Sequence, residues 1–413
     1  MTPNSFVGEN LRLYPQFRWM IGVLVVLCIA IAVLWASGFL RSPAQIQSSV
    51  TRDSINIEIV ETAPATIDTP QIKNTPDAWL ELIENARENI DIEAYFMSKE
   101  THGPLAAVYD ALYKAAARGV RIRILIENSN YHEDYDFMME LDSNENIEVR
   151  PFSKTMHSKV ITVDQEAVYV GSANWSWSAM QYNREVGAIL RGQTIARAFA
   201  AIFESGWSSG ENQIDFENGW NLEWIYPIAT PIDTPTWVAK TEDTIIGLID
   251  SAQNSIHVFA YVYTGSPATI TNALIYAANR GVNIQIIIDP EYRGYLPDSV
   301  KYEPNIQIKT VNIGAAAHSK VVIVDGQKAY VGSANWTNAS MRERREIGIF
   351  FDDQTLASAL QEIFNKDWES RYARWVTGQS EPMLPYVICV IAVGFIFVVI
   401  IIFVWRRTKR KSQ

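Results

Sequence analysis

Two stretches of this chain follow one pattern. Residues 156–190 read MHSKVITVDQEAVYVGSANWSWSAMQYNREVGAIL, and residues 317–350 read AHSKVVIVDGQKAYVGSANWTNASMRERREIGIF, offset by 161 positions. In each, His-x-Lys opens an apolar run and an Asp follows five residues after the Lys. Gly-Ser-x-Asn comes next, then a Glu eleven residues after the Asn. The polar positions are His157, Lys159, Asp164, Ser172, Asn174 and Glu185, and again His318, Lys320, Asp325, Ser333, Asn335 and Glu346. One His-x-Lys carries no information. Six polar positions held in register twice are not what packing alone selects, and they require a chain that folds as two like halves.

The likeness runs beyond the motifs. Ile67-Asp68-Thr69-Pro70 returns as Ile232-Asp233-Thr234-Pro235. The amphipathic run 79–86 corresponds to 244–252, with apolar residues at helical spacing. Short strands follow at 89–97 and 255–263, then helices closed by Arg118-Gly119 and Arg280-Gly281, with the glycine ending the helix. Buried-type strands at 121–127 and 283–289 come next, and each motif block is followed by a helix, 194–207 or 355–368. Residues 128–145 read as a surface loop or short helix, and 55–60 as a strand closing the linker. Strands and helices alternating in this way predict an α/β fold with a mixed sheet in each half, the halves facing each other about a pseudo-two-fold axis.

Two segments are of another kind. Residues 19–40 and 386–405 carry no charge, and each is long enough to cross a hydrocarbon core of ~30 Å as a helix. Arg406, Arg407, Lys409, Arg410 and Lys411 follow the second, while Arg12 and Arg18 precede the first. The positive-inside rule then places both termini in the cytoplasm and the duplicated part outside it, on a cell membrane. The competing reading of 19–40 is a cleaved signal peptide, with Trp35-Ala36-Ser37 as a weak cleavage site. The expected organisation is a cytoplasmic N-terminus (1–18), a span (19–40), a linker (41–66), a first half (67–209), a bridge (210–231), a second half (232–375), a span (386–405) and a basic tail (406–413).

Both cysteines, Cys28 and Cys389, fall inside the predicted spans, so the duplicated part has neither a disulfide nor a thiolate site. Residues 41–385 carry 28 Lys and Arg against 45 Asp and Glu. That balance argues against whole-surface binding of nucleic acid but leaves room for a local basic groove.

His157 and Lys159 sit two apart at the head of a strand, so they share a face, as do Ser172 and Asn174. A tight turn at Val324–Gly326 would lay His-x-Lys beside Ser-x-Asn. One imidazole, one ammonium, one hydroxyl and one amide then converge, and two such clusters would put two histidines across one small site. That inventory suits a phosphodiester, whose in-line displacement spreads negative charge over oxygens that want fixed donors. One imidazole can attack phosphorus while the other protonates the leaving oxygen, with each Glu holding the far nitrogen of a His. No metal or other cofactor is called for. Asp164 and Asp325 are expected to fold the turn rather than take part in chemistry.

The pattern HSKVITVD…GSANW with its second copy resembles the HKD signature of the phospholipase D superfamily, across roughly residues 65–375. The resemblance implies a two-step reaction through a phosphohistidine in one site built from both motifs. It also implies that His157 is the nucleophile and His318 the acid/base. The superfamily holds phospholipases, phosphatidyl transferases and nucleases, and the fold does not choose among them. A membrane-held domain favours hydrolysis or transfer on a phospholipid diester. The alternative is a membrane-tethered, metal-independent nuclease on single-stranded nucleic acid, toward which Asn183-Arg184-Glu185 also points. A third reading, an inactive membrane scaffold or binding protein, is opposed by the intact motifs.

The remaining histidines, His102, His132 and His257, have no counterpart in the other half and read as surface or core residues. Trp175 and Trp336 read first as core. The sequons at Asn174 and Asn335 are discounted because both amides are wanted inside the site.

Overall fold

The apolar runs of each half become the inner strands of one mixed sheet. The computed structural model describes residues 46–208, 220 and 222–376. The predicted spans 19–40 and 386–405, both termini, both cysteines and residues 209–219 of the bridge region lie outside the described residues. Among the described residues no helix is long and apolar enough to cross a membrane.

The first sheet contains β1 (Ser49–Arg52), β2 (Ile55–Thr62), β3 (Lys73–Asn74), β4 (Asn89–Ala94), β5 (Arg121–Glu127), β6 (Ile147–Phe152), β7 (Lys159–Val163), β8 (Ala167–Gly171) and β9 (Glu185–Arg191). Its order is β1-β2-β9-β8-β7-β4-β5-β6, with β3 paired to β2. The second contains β10 (Ile225–Ala229), β11 (Ala239–Lys240), β12 (Ser255–Ala260), β13 (Asn283–Ile288), β14 (Ile306–Val311), β15 (Lys320–Val324), β16 (Lys328–Gly332), β17 (Ile347–Asp352) and β18 (Ala373–Trp375). Its order is β11-β10-β17-β16-β15-β12-β13-β14-β18. Strand for strand the two paths agree, and only β1 and β18 lack a counterpart. Residues 225–229, which the sequence reading put in the bridge, are β10, the second half's equivalent of β2.

Within each sheet, three parallel strands lie beside an antiparallel meander. The parallel strands need helical crossovers, which the helices Gly103–Ala117 and Ala268–Asn279 supply between the first two of each set. Gly119 and Gly281 end these helices at φ +90° in both cases, a conformation that a side chain resists. The arginine before each glycine has its own task. Arg118 donates to the carbonyls of Ile83, Glu84 and Ala86, closing the preceding helix, and Arg280 does the same for Ile249, Asp250 and Ala252. Residues 128–145 form two short helices, Asn128–Glu133 and Tyr135–Asp142.

Both faces of the first sheet are covered. Ile122, Ile124 and Ile126 of β5 enter one core with Trp79, Leu112 and Trp175, while Leu125 turns to Phe203 and Trp207 on the other face. Trp175 and Trp336 are core residues, exposed by only 1% and 2%. The helices Gln193–Trp207 and Gln354–Glu369 reach across to the opposite half through buried ion networks. Arg345 of the second half binds Glu93 (2.7 and 3.0 Å) and the carbonyl of Ile202 (2.5 Å) in the first. Arg184 of the first binds Asp367 (2.5 and 2.8 Å) in the second, together with its own half's Glu61. Backbone bonds cross in matching pairs: His157 N to Arg345 O (2.8 Å) and His318 N to Arg184 O (2.9 Å).

Candidate active site

Strand register sets the site. β4 pairs antiparallel with β7 so that Ala94 faces Lys159, and β12 pairs with β15 so that Ala260 faces Lys320. The residue after each parallel strand, Tyr95 or Tyr261, therefore lies against the histidine that opens the motif. The ring centroids are 4.7 Å apart for Tyr95 and His157, and 4.5 Å for Tyr261 and His318. Each lysine ammonium lies over the same tyrosine, at 5.0 and 4.8 Å.

The expected hairpins are present. Asp164 and Gln165, and Asp325 and Gly326, all have φ between +50° and +62°, the paired left-handed turn that matches strand twist. Asp164 accepts from the amides of Arg87, Glu88 and Asn89 (2.8 Å each). Asp325 accepts from Gln253, Asn254 and Ser255 (2.7–2.8 Å). Both therefore clamp the turn to the strand that carries the tyrosine, away from the histidines.

Beyond each hairpin the glycine of Gly-Ser-x-Asn permits a close approach. A Cβ on Gly171 would lie 2.6 Å from both Gly187 Cα and the Tyr169 hydroxyl, and one on Gly332 would lie 2.4 Å from the Tyr330 hydroxyl. This contact brings the serine to the glutamate of the next strand. Ser172 Oγ donates to Glu185 Oε2, and Ser333 Oγ to Glu346 Oε2, each at 2.6 Å. The hydroxyls expected to face a ligand are committed to positioning the carboxylates.

Those carboxylates then cross between halves. Glu346 Oε2 lies 3.0 Å from His157 Nδ1, while Glu185 lies 3.0 and 2.9 Å from His318 Nδ1 through its two oxygens. Each histidine is held by the other half's glutamate, so the motifs form one site. His157, His318, both lysines, both serines and both glutamates are buried. Each lysine Nζ donates to the carbonyl of its own histidine (2.5 Å). Asn174 and Asn335 make no side-chain hydrogen bond among the described residues, and their Oδ1 atoms are buried without a partner. Their amide donors are available to a ligand.

Burial dominates the electrostatics. It pushes Lys320 down to about 7 and Lys159 well below its ordinary value, although Glu346 and Glu185 pull the other way. His318 falls to about 4, burial outweighing Glu185, and His157 also falls well below normal under burial, Lys159 and Lys320. All four shifts run against the charged form, which an anion placed beside these groups would favour.

The two carboxyls differ. Burial pushes Glu185 up, but His318, Lys320 and Ser172 outweigh it and leave the carboxyl below its usual range. Glu346 rises to about 7, again through burial. The cause is local. Asn183 Nδ2 donates to Glu185 Oε1 (3.0 Å), whereas Arg344 stands at the matching position in the second half. Glu346 Oε1 is buried without a hydrogen-bond partner among the described residues.

Sequence reasoning named Arg184 only within Asn183-Arg184-Glu185 and did not single out Tyr95, Tyr261 or Arg345. Each recurs at its matching position, so the repeat itself carried the signal. His257 replaces Asp91 of the first half. Asp91 is paired with Arg123 (2.7 Å), while His257 packs edge-on against Phe364 and is pushed down to about 4 by burial.

A buried, crossed pair of His-Lys motifs on two like mixed sheets defines a phosphoryl-handling enzyme class. A family model described as "Cardiolipin synthase, PLD-like domain" matches residues 79–207 and 245–368, and the chain belongs to the phospholipase D superfamily. It is 25% identical over 392 residues to "Phospholipase D Z" of Dictyostelium discoideum, covering 78% of this chain and 91% of that protein. It is 24% identical over 439 residues to "5'-3' exonuclease PLD3" of Bos taurus, covering 86% and 89%. A phosphatidylserine synthase from Haemophilus influenzae shares the fold, with a TM-score of 0.60 at 13% identity over 78% of this chain and 89% of that one.

Proposed function

We propose that this chain is a metal-independent phosphodiesterase that works through a phosphohistidine on His157 and acts on single-stranded nucleic acid. The crossed His–Glu pairs support the chemistry. With Nδ1–H held by a carboxylate, Nε2 of His157 presents its lone pair to phosphorus. As the His157–phosphorus bond forms, the bond to the leaving oxygen breaks, and His318 Nε2–H gives that oxygen its proton. Water then attacks phosphorus with His318 Nε2 taking its proton, and the phosphorus–His157 bond breaks. Lys159, Lys320, Asn174 and Asn335 surround the phosphoryl oxygens with donors.

The unequal carboxyls support the division of labour. An imidazolium is better stabilised beside the firmly ionised Glu185, which favours His318 as the acid. His157, facing Glu346 at about 7, is the better neutral nucleophile.

The observation that favours nucleic acid is an aromatic ladder on the His318 side. Tyr261 lies 4.9 Å from Tyr292, and Tyr292 lies 6.1 Å from Tyr295, which is 62% exposed. The matching first-half positions hold Asn130 and Glu133, and the Tyr131–Tyr135 pair nearby (5.9 Å) makes no ring contact with Tyr95 among the described residues, so only the His318 side carries rings continuous with the site. Aromatic faces leading from the acid outward suit the planar bases of a leaving strand. The second reading, a phospholipid diester, draws on the relatives named phospholipase D and on segments 19–40 and 386–405, which would hold the domain at the extracytoplasmic face of a membrane.

A paired turnover assay on the full-length chain tests the proposal. One arm offers single-stranded DNA and RNA, the other mixed phospholipid vesicles, with His157→Asn and His318→Asn as controls. Oligonucleotide shortening lost in both variants is expected. Headgroup release lost in both, with oligonucleotides untouched, would overturn the nucleic-acid reading in favour of lipid.

A further inference from the structure

The two halves are nearly interchangeable around the site, and the position two residues before each glutamate is where they part. In the first half it is Asn183. Its amide is used at both ends: Nδ2 donates to Glu185 Oε1 (3.0 Å), and Oδ1 accepts from the backbone of Ala316 (3.3 Å) across the interface. In the second half it is Arg344. Its guanidinium has no hydrogen bond or ion pair among the described residues, although the residue is half-buried.

The backbone shows where that guanidinium belongs. Arg344 is extended, at φ −109° and ψ 147°, so residues 344 and 346 share a face and residue 345 takes the other. Asn183 shows the same geometry directly through its bond to Glu185. Arg345 is accordingly turned away, toward Glu93 and the carbonyl of Ile202. Arg344 therefore lies on the face from which Glu346 holds His157. The chain is pinned there: Thr230 Oγ1 donates to Arg344 O (2.5 Å), and His157 N donates to Arg345 O (2.8 Å). Its charge is also felt by His157 and Lys159, both of which it pushes down.

Neighbouring arginines are committed. Arg342 is paired with Glu242 (2.8 Å through each of two nitrogens), and Arg345 is enclosed. A guanidinium offers five donors in a planar fork matched to phosphate oxygens, and one left unpaired beside an anion site is an available binder. The scissile diester is already served by Lys159, Lys320, Asn174 and Asn335. Arg344 stands outside that set.

We propose that Arg344 is a specificity residue that binds a second anionic group, next to the scissile phosphate on the His157 side, so that the site prefers substrates carrying two adjacent phosphates. This rests on the phosphodiesterase reading of the site. The substituent that stays on the phosphohistidine then lies toward Arg344, and the departing one toward the tyrosine ladder.

The test uses the full-length chain and two small probes. Inorganic pyrophosphate offers two adjacent anions, and orthophosphate offers one. Titration calorimetry should show Arg344→Gln weakening pyrophosphate about tenfold and orthophosphate less than about twofold, with Arg344→Lys recovering part of the loss. Equal weakening of both probes, weakening of neither, or no binding of either by the wild type would overturn the proposal. A second readout is kinetic: on oligothymidylate the loss should fall on KM rather than kcat. A loss confined to kcat would instead make Arg344 a residue that tunes His157. Should the wild type leave oligothymidylate uncut, the nucleic-acid reading fails by itself, and the pyrophosphate comparison still decides the role of Arg344.

Discussion

His157 Nδ1 lies 3.0 Å from Oε2 of Glu346, a residue 189 positions further along the chain, and His318 is held in the same way by Glu185, 133 positions before it. A change at one glutamate is therefore a change to the other half's histidine. Glu185→Gln should lower kcat by up to about 10⁴, the loss seen when the carboxylate orienting a catalytic imidazole is neutralised. Because Glu185 serves the acid, the loss should shrink for a 4-nitrophenyl ester, whose leaving group needs no proton. The loss in Glu346→Gln, which serves the nucleophile, should not shrink. Steady-state kinetics on esters of graded leaving-group pKa would check this, and the reverse pattern would exchange the two roles.

The pH dependence follows from the acid. A general acid must be protonated, and His318 in the empty site is pushed down to about 4. For a substrate with a poor leaving group, kcat/KM should therefore fall as pH rises above about 4 toward neutrality. The fall in kcat should begin at higher pH, because the bound phosphate anion favours the imidazolium. Stability runs the other way. The folded pKa lies below the ordinary 6.5, so the contribution of a neutral His318 is full above 6.5 and is lost as pH falls toward 4. Rate profiles and melting curves on one buffer series would separate the two, and a kcat/KM maximum on the alkaline side would remove His318 as the acid.

At its turn the Asp325 carboxylate accepts from three backbone amides. Burial pushes its carboxyl up, but three backbone amides outweigh that and hold it below the ordinary value. Asparagine tolerates the φ of +52° and keeps the shape, so Asp325→Asn isolates the charge. It should destabilise the fold by about 1–3 kcal/mol, leave kcat per folded molecule unchanged, and flatten the stability loss on acidification. Denaturant unfolding at several pH values measures all three, and a large fall in kcat with the fold intact would place the aspartate in the chemistry.

Tyr295 carries the substrate reading. Stacking contributes about 1–3 kcal/mol per base, so Tyr295→Ala should weaken single-stranded DNA by roughly 5- to 150-fold. Fluorescence anisotropy in a His157→Asn background measures this without turnover. Unchanged binding would count against bases on the ladder.

Repetition explains what the sequence made legible. His157, Lys159, Asn174 and their partners stood out because packing does not preserve polar positions twice. The hairpins followed from turn chemistry, and so did the expectation that Asp164 and Asp325 hold them. Repetition could not say which histidine each glutamate faces, because spacing within one copy is blind to an exchange between copies. It also hid the buried tasks of Ser172 and Ser333, whose bonding depends on the close contact at Gly171 and Gly332. Above all it was blind to what is not repeated. Tyr292, Tyr295 and Arg344 matter because their counterparts differ, and a search for likeness passes over them. β10 falls within the expected bridge for a related reason, since the plain sequence likeness of the halves begins at Ile232, past the strand.

The crossed glutamates bear on how such a chain could arise. Neither half orients its own histidine, so a single-copy ancestor would have had to work as a pair of identical molecules. In such a pair one gene writes both sides, and a substitution two positions before the glutamate would appear in each. Joining the copies in one chain frees the two sides to drift separately. The asparagine on one side and the arginine on the other are a divergence that a pair of identical molecules cannot carry, and with them a symmetric site acquires a direction.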